Sequence, residues 1–406
     1  MTATSPRTGS RTAPGAAARA AGPGGAGRLD AAAFRERFPM LRRGVHLSSC
    51  SLGAPSTDVV GAVRAMFGAM DGPGAPWPVW ETVIEEARAR FAALIGARPG
   101  DIALMPNATQ GAYQVASTTD WRLRPRVVTT EEEFPTVAHV LLAQRVLGAE
   151  VVFVPGGEPE EVLAGYAELI DERTALVSLP TTTYREGTRL PVARIAALAR
   201  EAGARTFVDA YQSVGVEPVD VGALGVDYLV SGTQKYVLGL PGLAFLYVRP
   251  GVRGDRDPVF TGWFGRVDPD AFDAFTLDFA DGARRLETGN HAVPAAYAAH
   301  AALGLLERAG TDEVWRHVSA LTERAARTLA AAGERLAGPA DARDRGAHVA
   351  LRDADPRALG GHLASRGIRI APRGEFARIS FHYFNSTDDV DLVCAEIARY
   401  RELSGR

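Results

Sequence analysis

Residues 227–242 read DYLVSGTQKYVLGLPG, an apolar run that breaks into a loop punctuated by Gly and Pro, and that loop holds Lys235, the single lysine of the 406-residue chain. The other 44 residues of the Lys+Arg total of 45 are arginines. A compositional pull of that strength replaces a lysine that serves only as a positive charge, so Lys235 reads as a residue needed for its amine. A guanidinium stays charged and does not condense with carbonyls, whereas a lysine ammonium in a desolvated site can lose its proton and become a nucleophile. The competing reading, a leftover surface cation, turns on what surrounds the residue.

Outward from this loop, short apolar or β-branched runs alternate with helical patterns from position 101 onward: DIALMP, RVVTTE, EVVFVP, TALVSLP, RTFVDA, DYLVSG and LAFLYV. This alternation predicts an α/β fold with a mostly parallel sheet of seven strands and helices on both of its faces. Between two of the runs, PVARIAALAREAGA carries apolar residues at i, i+3 and i+4 and reaches Gly203, the residue type that closes a helix. After about position 295 the character changes to long Ala/Leu/Arg helices such as DEVWRHVSALTERAARTLAAAGERL, then two strand-like pieces, AHVALRD and ARISFHYF, and a closing helix, DDVDLVCAEIARYREL.

Three segments are therefore expected. Residues 1–29 form a disordered tail, because Ala, Gly, Pro, Ser, Thr and Arg offer almost no large apolar groups to offset the entropy of ordering. Residues 30–295 hold an N-terminal segment and a large domain, and residues 296–406 a smaller α/β domain. No internal repeat is visible.

Hydrophobic residues at 46%, charged residues at 23% and a net charge of -3 describe an ordinary globular chain. The arginines are interspersed with acids, which argues against nucleic acid as a partner. Two cysteines, Cys50 and Cys394, in unlike settings argue for a reducing compartment and against a disulfide framework or a thiolate metal site. The eight histidines show no metal-ligand spacing. The longest apolar runs, such as LGLPGLAFLYV, fall far short of a membrane span, and the N-terminus lacks the apolar core of a secretory signal. A cytoplasmic protein without a membrane partner is expected. Neither G-x-x-x-x-G-K-[ST] nor G-x-G-x-x-G opens a helix after a strand, which disfavours a nucleotide-binding enzyme.

A lysine that forms a Schiff base implies pyridoxal 5'-phosphate, whose sites pair that lysine with an acidic partner for the pyridine nitrogen. RTFVDAYQSVG offers Asp209 at the end of an apolar strand, one crossover before the lysine loop, where open α/β sheets place ligands. A strand-terminal Asp also caps turns, so Asp209 alone decides nothing. Gln212 follows three residues on, with an amide able to reach the cofactor's phenolic oxygen. NATQGAYQVAS after DIALMP supplies a helix N-terminus with a small hydroxyl, so Thr109 and Gln110 are candidates for the phosphate. Ser231, Thr233 and Gln234 flank the lysine with further donors.

Taken in order, NATQG, EEEFPTVAHV, VDAYQSVG, SGTQKYVLGLPGLAFLYV, RRLETGN and ARISFHYFNSTDDVD resemble the class V aminotransferase group of fold-type I pyridoxal-phosphate enzymes, over about residues 40 to 400. That group includes cysteine desulfurases, C-S lyases, kynureninases and isopenicillin N epimerase-like proteins. The resemblance implies that Lys235 bonds covalently to the cofactor and then shuttles the proton, Asp209 pairs with the ring nitrogen and Gln212 meets the phenolic oxygen. It implies that Phe134 stacks on the ring and that Arg378 grips the substrate carboxylate with a bidentate fork. Asn290 stands where relatives often carry a threonine that reaches the phosphate of a neighbouring subunit, and a homodimer with shared active sites is implied.

Cysteine desulfurases of the group carry a nucleophilic cysteine shortly before the carboxylate-binding arginine, and here that loop, SRGIRIAPRGEFAR, has none. Cys394 falls on the closing helix as a packing residue. Cys50, with Ser49, lies where relatives line the substrate pocket, and reads either as a small wall residue or as a substrate contact. Arg373, His46 and Tyr184 are further pocket candidates. The expected reaction is α,β-elimination or related C–S cleavage on a cysteine-type or S-conjugated amino acid of specialised metabolism. Epimerisation, transamination and decarboxylation-coupled oxidative deamination remain alternatives, as does a non-catalytic protein of the same fold.

Overall fold

The seven apolar runs become the seven strands of one sheet in the computed structural model, which describes residues 27–405. In chain order the elements are α1 (Ala31–Glu36), β1 (Val45–His46), α2 (Thr57–Gly68), α3 (Trp77–Leu94), β2 (Ile102–Met105), α4 (Ala108–Ser117), β3 (Arg126–Thr130), α5 (Pro135–Ala143), β4 (Glu150–Val154), α6 (Pro159–Leu169), β5 (Thr174–Pro180), α7 (Val192–Glu201), β6 (Arg205–Asp209), α8 (Val221–Leu224), β7 (Tyr228–Gly232) and β8 (Ala244–Val248). Then follow α9 (Val293–Ala309), α10 (Thr311–Ala331), β9 (Leu336–Ala337), β10 (His348–Arg352), α11 (Pro356–Ser365), β11 (Ile368–Arg369), β12 (Ala371–Arg373), β13 (Phe376–Ser380) and α12 (Thr387–Ser404).

The large sheet has the order β2-β8-β7-β6-β5-β3-β4, and only β8 runs antiparallel to its neighbours. Apart from the edge strand β4, its strands are buried on both faces, which explains why they read as unbroken apolar runs rather than alternating ones. Successive residues feed two separate cores: Ile102, Leu104, Leu229 and Phe245 pack on one side, with Ala103, Met105, Val230 and Leu246 on the other. Val115 of α4 and Leu141 of α5 cover the second face, while Phe91 of α3 and Ile195 of α7 cover the first. The fold class expected from the alternation is the one observed.

β9, β10, β12 and β13 make a four-stranded antiparallel sheet in the order β12-β13-β10-β9. Its two short strands, β9 and β12, span too few residues for a periodic signal. The N-terminal segment reaches this region too: β1 pairs in parallel with β11, and Ser380 N donates to Leu47 O at 2.9 Å. The tail expected over residues 1–29 lies outside the described residues except for its last three, of which Leu29 is buried and donates its amide to Arg308 O at 3.0 Å. Among the described residues no helix is long and apolar enough to cross a membrane.

Candidate active site

Parallel pairing of β6 with β7 sets Asp209, the last residue of β6, beside Val230 in the middle of β7. The chain leaves β7 and turns through Thr233, whose Oγ1 donates to Leu240 O at 2.5 Å while its carbonyl accepts from Gly239 N at 2.8 Å. These bonds close the loop 233–243 on itself and hold Leu238 at a φ of 65°, a conformation that a branched side chain adopts only under constraint. Lys235 is thereby projected over the strand ends from a braced loop. Thr233, read from sequence as a further donor, spends its hydroxyl on this bracing.

Lys235 lies in a cleft together with Asp209, Gln212, Gln234, Phe134 and Thr109. Its Nζ is 5.5 Å from the centroid of the Phe134 ring and 4.7 Å from that of Tyr211. Burial pulls the ammonium down to about 8, against the opposing pull of the Asp209 charge. Burial also raises the Asp209 carboxyl, the Lys235 charge lowers it, and Tyr211 N donates to Asp209 Oδ1 at 2.8 Å. An amine of lowered basicity in one cleft with a carboxylate is the chemistry of a Schiff-base lysine.

At one end of the cleft stands the first turn of α4. Asn107 caps it by accepting from Gln110 N at 3.0 Å, and Asn107, Ala108 and Thr109 line the space. The first amides of a helix lack intrahelical acceptors and favour an anion. Thr109 Oγ1 meets Thr136 Oγ1 at 2.6 Å, and Thr136 also lines the cleft. Gln110 itself turns to Thr288, donating from Nε2 at 3.3 Å.

The remaining sequence candidates fall into two sets. Gln212 donates from Nε2 to Cys50 O at 3.2 Å and leaves its buried Oε1 without a partner, and Ser49 Oγ is buried and unpartnered beside it in the chain. Cys50 is buried, and its amide donates to Ser380 Oγ at 3.0 Å. Arg378, 2% exposed, donates from Nε to Ala371 O at 3.1 Å and from Nη1 to Tyr184 O at 2.6 Å, and the Tyr184 ring lines the cleft edge-on to Phe134. His46 is buried, while Arg373 is exposed. Ser231 is fully buried, with its Oγ on Gly232 O at 3.4 Å, and it does not line the cleft. Alternation along β7 places it on the opposite face from Val230 and Gly232. Asn290 is exposed and lies outside the cleft of this chain. Cys394 is buried, and burial pushes its thiol up to about 11.

Sequence reasoning passed over Tyr211, Thr136 and Glu133. Tyr211 sits between two chosen residues and could have been found by its offset of two from Asp209. Glu133 is buried behind Phe134, accepting from Phe134 N at 2.9 Å and from Ser178 Oγ at 3.1 Å; burial and the Asp209 charge push it up to about 8. Nothing in EEEFPT distinguishes it from its two acidic neighbours.

The site fits pyridoxal 5'-phosphate: an amine of lowered basicity, a carboxylate at the strand end, a flat aromatic face, a helix N-terminus and an orphaned buried amide oxygen converge on one cleft. The sequence model of the family described as aminotransferase class-V matches residues 80–393. An uncharacterized aminotransferase of Bacillus subtilis, YcbU, is 34% identical over 90% of this chain and 96% of its own length. A kynureninase of Pseudomonas fluorescens is 27% identical over 83% of this chain and 84% of its own. Among solved structures, the cysteine desulfurase CsdA of Escherichia coli aligns with a TM-score of 0.82 at 22% identity, covering 92% of this chain and 99% of that one. The cystine C-S lyase C-DES in complex with cysteine persulfide aligns with a TM-score of 0.81 at 24% identity, covering 89% and 99%. At these identities the structural likeness speaks for the fold alone.

Proposed function

The chain belongs to the class-V aminotransferase family and is a pyridoxal-phosphate-dependent enzyme, and we propose that it cleaves a C–S bond by α,β-elimination of a cysteine-type or S-conjugated cysteine substrate. The carrying observation is the state of its thiols. The chain has two cysteines, both buried and free, and none in the loop that precedes Arg378. An enzyme-bound persulfide needs an accessible thiolate, so sulfur leaves on the substrate's own leaving group.

When bound, the cofactor withdraws electrons from the substrate α-carbon, which acidifies the α-hydrogen and lets a β-thiolate depart. Arg378 anchors the substrate carboxylate, with its fork already oriented by two backbone carbonyls. Phe134 would pack on the cofactor's aromatic ring, and Asp209 would pair with its ring nitrogen. Lys235 Nζ would take the substrate α-proton and pass it to the departing thiolate, which leaves as thiol. Water addition balances the reaction: an S-substituted cysteine and water give thiol, pyruvate and ammonium. C-DES, a cystine C-S lyase whose complex holds its reaction product cysteine persulfide, offers a parallel for C–S cleavage on this fold.

The same reading includes a two-fold dimer: Asn290 and the apolar side chains of Val267, Phe272 and Phe275 are exposed on the single chain. Light scattering after size exclusion tests the dimer. For the reaction, the holoenzyme is incubated with a panel of S-substituted cysteines and the products are identified by mass spectrometry. Stoichiometric pyruvate and thiol support elimination. Mixed α-stereochemistry, an intact keto acid, or carbon dioxide with an aldehyde overturns it in favour of epimerisation, transamination or decarboxylation.

A further inference from the structure

A side chain at position 232 has no room, and the reason is Tyr211. A Cβ built on Gly232 would lie 1.6 Å from Tyr211 Oη and 1.8 Å from Cζ. Gly232 is not among the glycines with positive φ, so its backbone conformation suits any residue and space alone demands glycine. The tyrosine hydroxyl has taken the volume that a side chain at the end of β7 would fill.

Tyr211 lines the same cleft as the first turn of α4. Gly111, on α4, approaches β7 so closely that an added Cβ would sit 3.0 Å from Val230 Cγ2. Val230 and Gly232 share a strand face, and Thr109 of α4, Tyr211 and Gln234 line the same cleft. Tyr211 Oη donates to Gln234 Oε1 at 2.8 Å. An amide whose oxygen is engaged in this way presents its NH2 elsewhere, and Gln234 lines the cleft. Its backbone is fixed as well, with Gln234 O accepting from Gly53 N at 2.7 Å. Burial raises the Tyr211 phenol above its ordinary value of 10, so it remains a donor.

We propose that Tyr211 is a positioning residue of the phosphate subsite: its hydroxyl replaces the side chain absent at Gly232 and locks the Gln234 amide with its NH2 turned to the cofactor phosphate. This rests on the assignment of the cleft to pyridoxal 5'-phosphate, which borohydride trapping on Lys235 checks separately.

The test compares dissociation constants of pyridoxal 5'-phosphate and of pyridoxal, which lacks the phosphate, for apoprotein with and without Tyr211→Phe, read by absorbance titration and by the ³¹P shift of the bound phosphate. The expected result is a loss of about tenfold or more for the phosphorylated ligand, an unchanged constant for pyridoxal, and a displaced ³¹P resonance. The double variant Tyr211→Ala with Gly232→Ser returns a hydroxyl to the same volume from the strand side and should regain most of the loss. Equal weakening of both ligands, or no weakening of either, overturns the proposal even where Lys235 is trapped. Failure of trapping in the wild type overturns the cofactor assignment itself.

Discussion

Glu287 Oε1 accepts from Arg88 Nη1 at 2.5 Å, with both side chains almost fully buried. The same oxygen accepts from Leu104 N at 2.9 Å, and Arg88 Nη1 also donates to Ile102 O at 2.6 Å. The pair thus clamps α3 and the segment before α9 onto β2, the edge strand that leads into α4. The Arg88 charge and the His291 hydrogen bond hold the Glu287 carboxyl at about 2, in spite of its burial.

Glu287→Gln preserves the shape and leaves Arg88 with the exposed Glu85 carboxylate, 3.0 Å from Nη2, as its remaining counter-charge. The expected loss is about 1.5–3 kcal/mol of unfolding free energy, the worth of a buried charge-assisted hydrogen bond, measured by urea denaturation. Because the folded value is depressed from 4.5 to about 2, the wild-type advantage is complete above pH ~4.5 and fades as pH falls toward ~2. A difference between the two proteins that stays constant over that interval would contradict the assignment.

The stretch RRLETGN shows both what the sequence discloses and what it hides. It was legible as part of an ordered series of motifs, and Asn290 stood out by its place in that series. The structural weight falls on Glu287, whose partner Arg88 is 199 residues away and one of 44 arginines, so no local pattern could single it out. The large sheet was legible because strands buried on both faces must be apolar throughout. Asp209 was legible because it ends such a run, and Lys235 because it is the single lysine of the chain. Tyr211 and Gly232 were not, since their relation is a contact across a loop. The placement of Ser231 away from the cleft follows from strand alternation, which the apolar run DYLVSG conceals by burying both faces.

Lys235→Arg should retain a positive charge in the cleft and lose all covalent capture. Expected outcomes are no visible absorbance band after incubation with pyridoxal 5'-phosphate and no pyridoxyl mass increment on peptide 227–242 after borohydride reduction. A reduced adduct elsewhere in the chain with wild-type yield would remove Lys235 from the mechanism.

Cofactor capture should depend on pH through the same amine. Only the neutral form attacks an aldehyde, and burial sets its midpoint at about 8 instead of near 10.5. The second-order rate of capture by apoprotein should rise roughly tenfold per pH unit below that midpoint and flatten above it. Stopped-flow absorbance between pH ~6 and ~10 measures this. A rate still climbing at pH ~10 would mean that the lysine is solvated and that Asp209 and Phe134 do not enclose it.

Arg378 has two of its donors committed before any substrate arrives. Nε and Nη1 are held by the carbonyls of Ala371 and Tyr184, while Nη2 makes no hydrogen bond to the described residues, so the guanidinium is oriented by the backbone and keeps a donor for an incoming carboxylate. Lysine cannot reproduce this, because a point charge on a flexible stem satisfies neither both carbonyls nor a planar carboxylate. Arg378→Lys should raise KM for an S-substituted cysteine by about 10- to 100-fold, the equivalent of one charge-assisted hydrogen bond, with a smaller change in kcat. The decarboxylated amine analogue has nothing for Arg378 to hold, so its binding should be nearly the same in both proteins. Steady-state kinetics with the amino acid, alongside inhibition by the amine, separates the two. Parallel losses for both ligands would mean that Arg378 only supports the packing around Tyr184, and that the carboxylate is recognised elsewhere.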